Sequence, residues 1–487
     1  MNGERNCKYE IYCLLLWFYF YLTKDMNNFP KALHILAFGK LWDTFSYYGT
    51  QTILVLYLIH TYHLTETTSY LIYGAYAAFM YTSPTLGGII ADRWIGSRNA
   101  LLFGSALNLI GNLLLASLSH YWFCVGLAMS LMGSGLYKSN SAHMVGTLYE
   151  LMDVRKESGF TWFYLANNVG GVLGPLVYGI VVYLLGWHFC FLFSAAGILF
   201  SSLWLLYGLF SSRVFINEAS AKHSLAIYPL IIIACFLLSF PFYWPASITP
   251  IICILFAGSF AYLLTVIQQY TGVEKRHLYA LLLLNLFSLF YYAASWQIGS
   301  TVTLFIQSKI EQGAIHTHLP ASTFSLLYPL FVLILAPLFS KIWGSLSAKG
   351  FKQIDAAIKS LIGLVFGVLG TATFAVAVHA SDILFFIILG NVFLGAGELA
   401  LVPASYTATS NLAPPGLKST MMGGRLLFTA LGGYLSVLLA RSAEFTTSLM
   451  NGQTDDYQIM FWFIAGFTGL MAVLSTCLIP KLKRMML

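Results

Sequence analysis

Apolar residues run along the chain in blocks separated by short polar stretches, and many blocks reach about 20 residues, the length an α-helix needs to cross a hydrocarbon core of about 30 Å. Each block predicts one span. They lie at about 33 to 60, 70 to 91, 99 to 118, 121 to 146, 159 to 184, 187 to 210, 225 to 244 and 247 to 269, then at about 279 to 307, 321 to 345, 355 to 379, 382 to 412, 416 to 440 and 457 to 480. The total is roughly fourteen, which predicts an all-α integral membrane protein. Ile11 to Leu22 is apolar but only about half a span; it reads as a signal-like segment or, preferred here, as part of an upstream extension (residues 1–28) with Met26 as the start.

Composition agrees with the pattern: 58% of the 487 residues are hydrophobic and 9% charged, against roughly 25% charged in soluble domains. A net charge of +7 would suggest nucleic acid in a soluble protein, but here the cations sit beside the membrane, so no nucleic-acid partner is expected. With the N-terminus inside, the cytoplasmic loops hold Arg93, Arg98, Arg155, Lys156, Arg213, Lys222, Lys275, Arg276, Lys341, Lys349, Lys352 and Lys418. The tail adds Lys481, Lys483 and Arg484, while the opposite loops hold little beyond Lys309 and Arg441. The positive-inside rule turns that asymmetry into two cytoplasmic termini. Cys124, Cys190, Cys235, Cys253 and Cys477 lie in apolar runs without metal-ligand spacing and read as small core residues. No metal or cofactor is expected.

The loops are too short for a catalytic domain, so any chemistry belongs inside the bundle. Pro84, Pro175, Pro329 and Pro403, with Gly170, Gly171, Gly432 and Gly433, fall mid-span, where they kink helices or let them approach. A charge at mid-bilayer costs at least about 2.5 kcal/mol, so each needs a partner or a purpose. The candidates are Lys40, Asp43, Lys138, Glu398 and Arg425. Lys40, Asp43, Thr44, Tyr47 and Gln51 follow three- and four-residue steps along one helical face that cannot look at lipid. Lys40 and Asp43 either neutralise each other or serve function; Lys138 has no acid within helical reach and waits for an anion. Glu398 and Arg425, on successive helices, either pair or offer a carboxylate and a guanidinium to a charged substrate. Tyr164 and Asn168 are four apart, as are Ser288, Tyr292, Trp296 and Ser300, a spacing that lines a cavity or packs a core.

The segment Gly-Gly-Ile-Ile-Ala-Asp-Arg-Trp-Ile-Gly-Ser-Arg, with Gly88, Asp92, Arg93, Gly96 and Arg98, resembles the gating loop between spans two and three of the major facilitator superfamily. Phe45-Ser46-Tyr47-Tyr48-Gly49, Gly133-Ser134-Gly135-Leu136-Tyr137-Lys138-Ser139-Asn140 and Ser158-Gly159-Phe160-Thr161-Trp162-Phe163-Tyr164 resemble the proton-dependent oligopeptide transporter (POT/PTR) family within it, as do Gly397-Glu398-Leu399, Pro403 and Met421-Met422-Gly423. The likeness covers nearly the whole chain after Met26. It implies two six-helix bundles, 29–212 and 276–487, and two extra helices between them in 213–275. It further implies a bacterial inner-membrane carrier, monomeric, that moves di- and tripeptides by alternating access with protons. By the same resemblance Tyr47, Tyr48, Tyr81, Lys138, Tyr164, Asn168, Tyr292 and Glu398 line the peptide cavity. Lys138 would hold the carboxylate, Glu398 the ammonium group, and the tyrosines and Asn168 the backbone amides.

The chain departs from that family where its Glu-x-x-Glu-Arg motif, tied to proton coupling, would stand: it reads Lys40-Leu41-Trp42-Asp43-Thr44. The family arginine two residues after Gly49 is Gln51, the acid of span seven is Trp296, the asparagine of span eight is Tyr328, and a pocket tryptophan of span eleven is Arg425. Lys40, Asp43 and Glu398 remain as proton-coupling candidates, and Arg425 or Lys40 is expected to replace the missing arginines as a carboxylate clamp. Trp296 and Arg425 thus join the candidate substrate site. The alternative on the same fold is an uncoupled facilitator, or a carrier of another small organic anion or zwitterion. An embedded enzyme or receptor lacks any zinc spacing, nucleophile elbow or sensory loop, and a channel lacks a ring of like charges.

Overall fold

A computed structural model describes residues 30–211 except 152 and 154, then 225–317, 321–348, 355–449 and 456–486. The N-terminal extension and the loop cations Arg213, Lys222, Lys349 and Lys352 lie outside the described residues. The helices are α1 (Lys31–Tyr62), α2 (Glu66–Ile90), α3 (Ser97–Leu115), α4 (His120–Thr147), α5 (Arg155–Leu185), α6 (Trp187–Ser211), α7 (Ile227–Tyr243), α8 (Ile248–Gln269), α9 (Gly272–Ser295), α10 (Thr301–Glu311), α11 (Leu327–Ala348), α12 (Ala356–Ala377), α13 (Ile383–Leu412), α14 (Lys418–Leu449) and α15 (Asp456–Met486). With α9 and α10 counted as one broken span, fourteen spans stand among the described residues, matching the apolar blocks. Helices are what a bilayer demands, because every backbone N–H and C=O must be satisfied within the segment. Side-chain caps finish the exposed ends: Thr65 accepts from the Thr68 N–H at 3.3 Å, and Asp355 from the N–H groups of Ala357 and Ile358 at 3.1 Å.

In the first half α1 packs along α5 and α6, and α4 along α2 and α3; in the second α13 packs along α11 and α12, and α15 along α9 and α12. The two groups meet mainly where α2 lies along α14 and α5 along α11 and α13. The intervening α7 packs against α4, and α8 against α2. Leu184, Phe200 and Leu237 point outward, as lipid-facing residues must. Nine described segments are long and apolar enough to span by composition alone; α1 to α4 are more polar, because their polar side chains are turned into the bundle.

The structure departs from the sequence reading in four places. The expected helix at 279–307 breaks at Trp296, where a 3-10 segment, Trp296–Gly299, separates α9 from α10, so the stripe Ser288, Tyr292, Trp296 does not run on to Ser300. Pro329 sits in the first turn of α11 instead of mid-span, where its missing N–H costs little. Cys253 and Cys477 are exposed, and only Cys124, Cys190 and Cys235 serve as core residues. Lys138, although without an acid on its own helix, has one across the bundle.

Candidate functional site

The buried charges gather in two groups between the halves. In the first, the Asp43 carboxylate on α1 stands between two ammonium groups, Lys40 Nζ at 3.8 Å and Lys138 Nζ at 3.9 Å. Helical spacing supplies the first contact, three residues away on the same face; the fold supplies the second, since α4 crosses α1 there. Asp43 Oδ2 faces the two ammonium groups without a hydrogen bond, while Asn108 on α3 donates to Oδ1 at 3.2 Å and itself accepts from Ser130 at 3.1 Å and from Asn112 at 2.9 Å. Ser46 closes the chain by donating to Asn112 Oδ1 at 2.8 Å. This amide network orients Asp43, and it escaped the sequence reading. Its trace was the pair Asn108 and Asn112, four apart on a face of α3. Lys138 Nζ also lies 5.0 Å from the Tyr47 ring centroid, a cation–π contact, and Tyr47 stacks on Tyr76 at 5.2 Å with Tyr48 edge-on at 4.9 Å.

The second group centres on Glu398 of α13. Its Oε1 accepts from Tyr164 of α5 at 2.5 Å and from Tyr292 of α9 at 3.4 Å, so one carboxylate oxygen ties the first half to the second. Its Oε2 makes no hydrogen bond of good geometry, although the Tyr328 hydroxyl also approaches the carboxylate. Arg425 on α14 is 1% exposed; its guanidinium lies 3.8 Å from the Tyr406 ring centroid, while Nε and Nη1 have no acceptor. Glu398 and Arg425 feel each other's charge but form no ion pair. Of the remaining candidates, Tyr81 meets Trp296 across the halves at 5.3 Å, and Asn168 donates to its own helix at the Tyr164 carbonyl, 3.1 Å away. Two substituted positions have ordinary partners: Thr44 bonds Asn167 at 3.0 Å, and Gln51 donates to the Tyr73 hydroxyl at 3.1 Å.

The segment from Gly88 to Arg98 occupies one end of the same interface. A π-helical turn, Ala91–Ile95, leads to Gly96 at φ 75°, a left-handed backbone that favours glycine. The turn aims the Asp92 carboxylate at the start of α14, where it accepts from the backbone N–H of Ser419 at 3.2 Å and of Thr420 at 2.7 Å. An anion at a helix N-terminus satisfies orphan donors and meets the positive end of the dipole. Burial pushes the Asp92 carboxyl above its ordinary range, and those hydrogen bonds pull it part of the way back. Gly88 is required because a Cβ there would strike the backbone of Ser419 and Thr420. Arg93 lies 4.9 Å from the Tyr262 ring centroid on α8; Arg98 lies in the first turn of α3. Alongside, Lys359 of α12 meets both Glu157 oxygens on α5 at 2.6 and 2.5 Å, Lys156 donates to Asn411 at 2.7 Å, and Phe160 stacks on Tyr406 at 5.3 Å. The named bonds between halves therefore concentrate at the charged centre and on the side of it where Asp92 lies, holding the helix ends there together.

Two helical groups meeting on buried ionised side chains, with a gating loop at one end, define a membrane carrier of the major facilitator fold. The chain belongs to the POT family, whose model matches residues 98–455. It is 26% identical over 452 residues to the peptide transporter YePEPT of Yersinia enterocolitica, covering 84% of this chain and 87% of that protein. It is 23% identical over 482 residues to dipeptide and tripeptide permease A of Pectobacterium carotovorum, covering 95% and 94%. Among solved structures it matches a POT family transporter in complex with a thioalcohol-conjugated peptide at TM-score 0.69, with 24% identity and coverage of 94% of this chain and 98% of that one. A POT family transporter with 5-aminolevulinic acid matches at TM-score 0.68, 25% identity, 93% and 97% coverage.

Proposed function

We propose that this protein carries di- and tripeptides across a bacterial inner membrane by alternating access. It acts as a monomeric carrier with both termini cytoplasmic and performs no covalent chemistry. Residues 29–212 and 276–487 form the moving bundles, and 213–275 carry the two linker helices. One observation supports this above others: Glu398, from the second bundle, is held by Tyr164 of the first at 2.5 Å, so a ligand or proton that engages this carboxylate acts on the contact between the halves. A peptide's ammonium group would take Oε2 of Glu398. Its carboxylate would take the ammonium groups of Lys40 and Lys138 around Asp43, and Tyr47, Tyr48, Tyr81, Tyr292, Trp296 and Asn168 would line the space between. The peptide substrates named for the relatives fit that charge arrangement.

Symport with protons is part of the proposal, with Asp43 and Glu398 as the carboxylates that load and Lys40 replacing one family glutamate. Reconstitution in liposomes tests it: labelled di- and tripeptide uptake is followed with and without an inward proton gradient. Accumulation above equilibrium only with the gradient is the expected result. Equilibration indifferent to pH would establish the uncoupled facilitator, and no peptide uptake under any gradient would end the peptide assignment.

A further inference from the structure

The charges buried between the halves do not cancel. Lys40, Asp43, Glu398 and Arg425 are 1 to 5% exposed, and the Lys138 side chain is 10% exposed. By formal charge three cations stand against two carboxylates, an excess of one in a space where an uncompensated ion is costly. The excess has a location. Lys40 and Lys138 share Asp43, and a peptide's terminal carboxylate would neutralise the cation left over in that cluster. Its ammonium group would do the same for Glu398. Arg425 then remains, with Nε and Nη1 lacking acceptors and no carboxylate paired with it.

The geometry of Arg425 narrows what would answer it. One face of the guanidinium is covered by Tyr406 at 3.8 Å, and Tyr406 is backed by Phe160 at 5.3 Å. Stacking stabilises the cation through its face and leaves the N–H donors at its edge. Nε and Nη1 each keep an N–H without an acceptor, and a carboxylate oxygen is the strongest acceptor for a charged donor of this kind. The group stands near both Glu398 and Lys40, so it belongs to the same buried charge cluster.

We infer that Arg425 is a specificity-determining residue that receives a side-chain carboxylate, so that the preferred substrates are small peptides containing glutamate or aspartate, with net charge −1. The inference rests on the peptide-carrier reading and adds a substrate class to it. A neutral dipeptide leaves the interior positive; an acidic one completes its neutralisation.

The test measures, in liposomes bearing the full chain at pH 7, inhibition of labelled L-alanyl-L-alanine uptake by L-alanyl-L-glutamate and by its near-isostere L-alanyl-L-glutamine. The reversed sequences and L-alanyl-L-lysine complete the series. Glutamate and glutamine differ there by one charge, since a free carboxyl of this kind ionises near pH 4. The acidic peptide, in at least one of its two orders, should inhibit at a concentration at least about tenfold lower than its glutamine counterpart, the size expected of one charge-assisted hydrogen-bonded contact. The lysine peptide should be weakest. In Arg425→Gln the glutamate-to-glutamine ratio should fall below about twofold, and Arg425→Lys should keep part of it, charge without the planar fork. A wild-type ratio within twofold in both orders would overturn the inference, as would a full ratio persisting in Arg425→Gln. Should neither variant reach the membrane, the wild-type ratio decides alone. Dialanine uptake without discrimination sinks only the subsite; no uptake or inhibition by any dipeptide sinks the peptide reading and the subsite with it.

Discussion

Breaking the Glu157–Lys359 ion pair should open the end of the bundle at which it lies. Lys359 Nζ contacts Glu157 at 2.5 Å, the side chains are 9% and 19% exposed, and the ammonium group also lies 4.7 Å from the Trp343 ring centroid. At an effective dielectric constant of about 20 the gross attraction at that separation is about 6–7 kcal/mol. Desolvating two ions in a crevice mostly shielded from water cancels more than half of this, and about 2–3 kcal/mol remains to favour the closed arrangement. Glu157→Gln or Lys359→Gln should therefore shift the closed-to-open ratio by about 30- to 150-fold toward open. Spin labels at the exposed positions Arg155 and Pro415 would report it as a longer inter-label distance in the reconstituted protein. The swap Glu157→Lys with Lys359→Glu should recover most of the closed population, because the pair and not either residue is responsible. Unchanged distances in both single variants, or a swap no better than either of them, would refute the reasoning.

Three further outcomes follow from other contacts. Burial raises the Asp92 carboxyl in the closed arrangement, and separation of the ends would return it to water and to an ordinary value near 4; the closed state then binds the proton more tightly, so its share should rise as pH falls through the raised value and fall as pH climbs. The same label pair read against pH checks this, and Asp92→Asn should flatten the response. Gly88→Val and Gly423→Val would drive a side chain into backbone of the facing helix, Ser419 and Thr420 in one case and Pro84 and Thr85 in the other; each should hold α2 and α14 apart and abolish uptake while membrane expression, measured by fluorescence of a fused reporter, persists. Tyr164→Phe removes the 2.5 Å bond to Glu398 and should lower peptide uptake by roughly tenfold, the worth of one hydrogen bond to a charged group; uptake at the wild-type rate would show that Glu398 does not depend on it.

Much of this architecture was legible in the sequence because the bilayer leaves so little choice: a span must be apolar, helical and about 20 residues long. The charged candidates were legible for the complementary reason, since Lys40, Asp43, Lys138, Glu398 and Arg425 have no place facing lipid. What did not show was anything that depends on which helices cross. Reach along one helix predicts the Lys40–Asp43 contact, but Lys138 is 95 residues from Asp43, and only the packing of α1 against α4 brings them within 3.9 Å. Asn108 holds Asp43 from a third helix, and the Asp92 carboxylate finds the start of α14 more than 320 residues away. The break at Trp296 gave no local sign either, because no proline or glycine stands at the break itself; Gly299 follows at its far end.

The first helix and Arg425 are best understood together. The interior carries Lys40, Asp43, Lys138, Glu398 and Arg425, while Thr44, Gln51 and Trp296 beside them are neutral. By formal charge that interior is positive, and Asp43 and Glu398 are each anchored by neutral donors, Asn108 for one and Tyr164 with Tyr292 for the other. Both lysines share a carboxylate, and the surplus sits on a stacked arginine with two unused donors. An interior with excess positive charge resists being sealed from water while empty, and an anionic ligand removes that resistance. Loading and occlusion are thereby linked through the same charges, so the chemistry that selects the substrate is also the chemistry that lets the halves move.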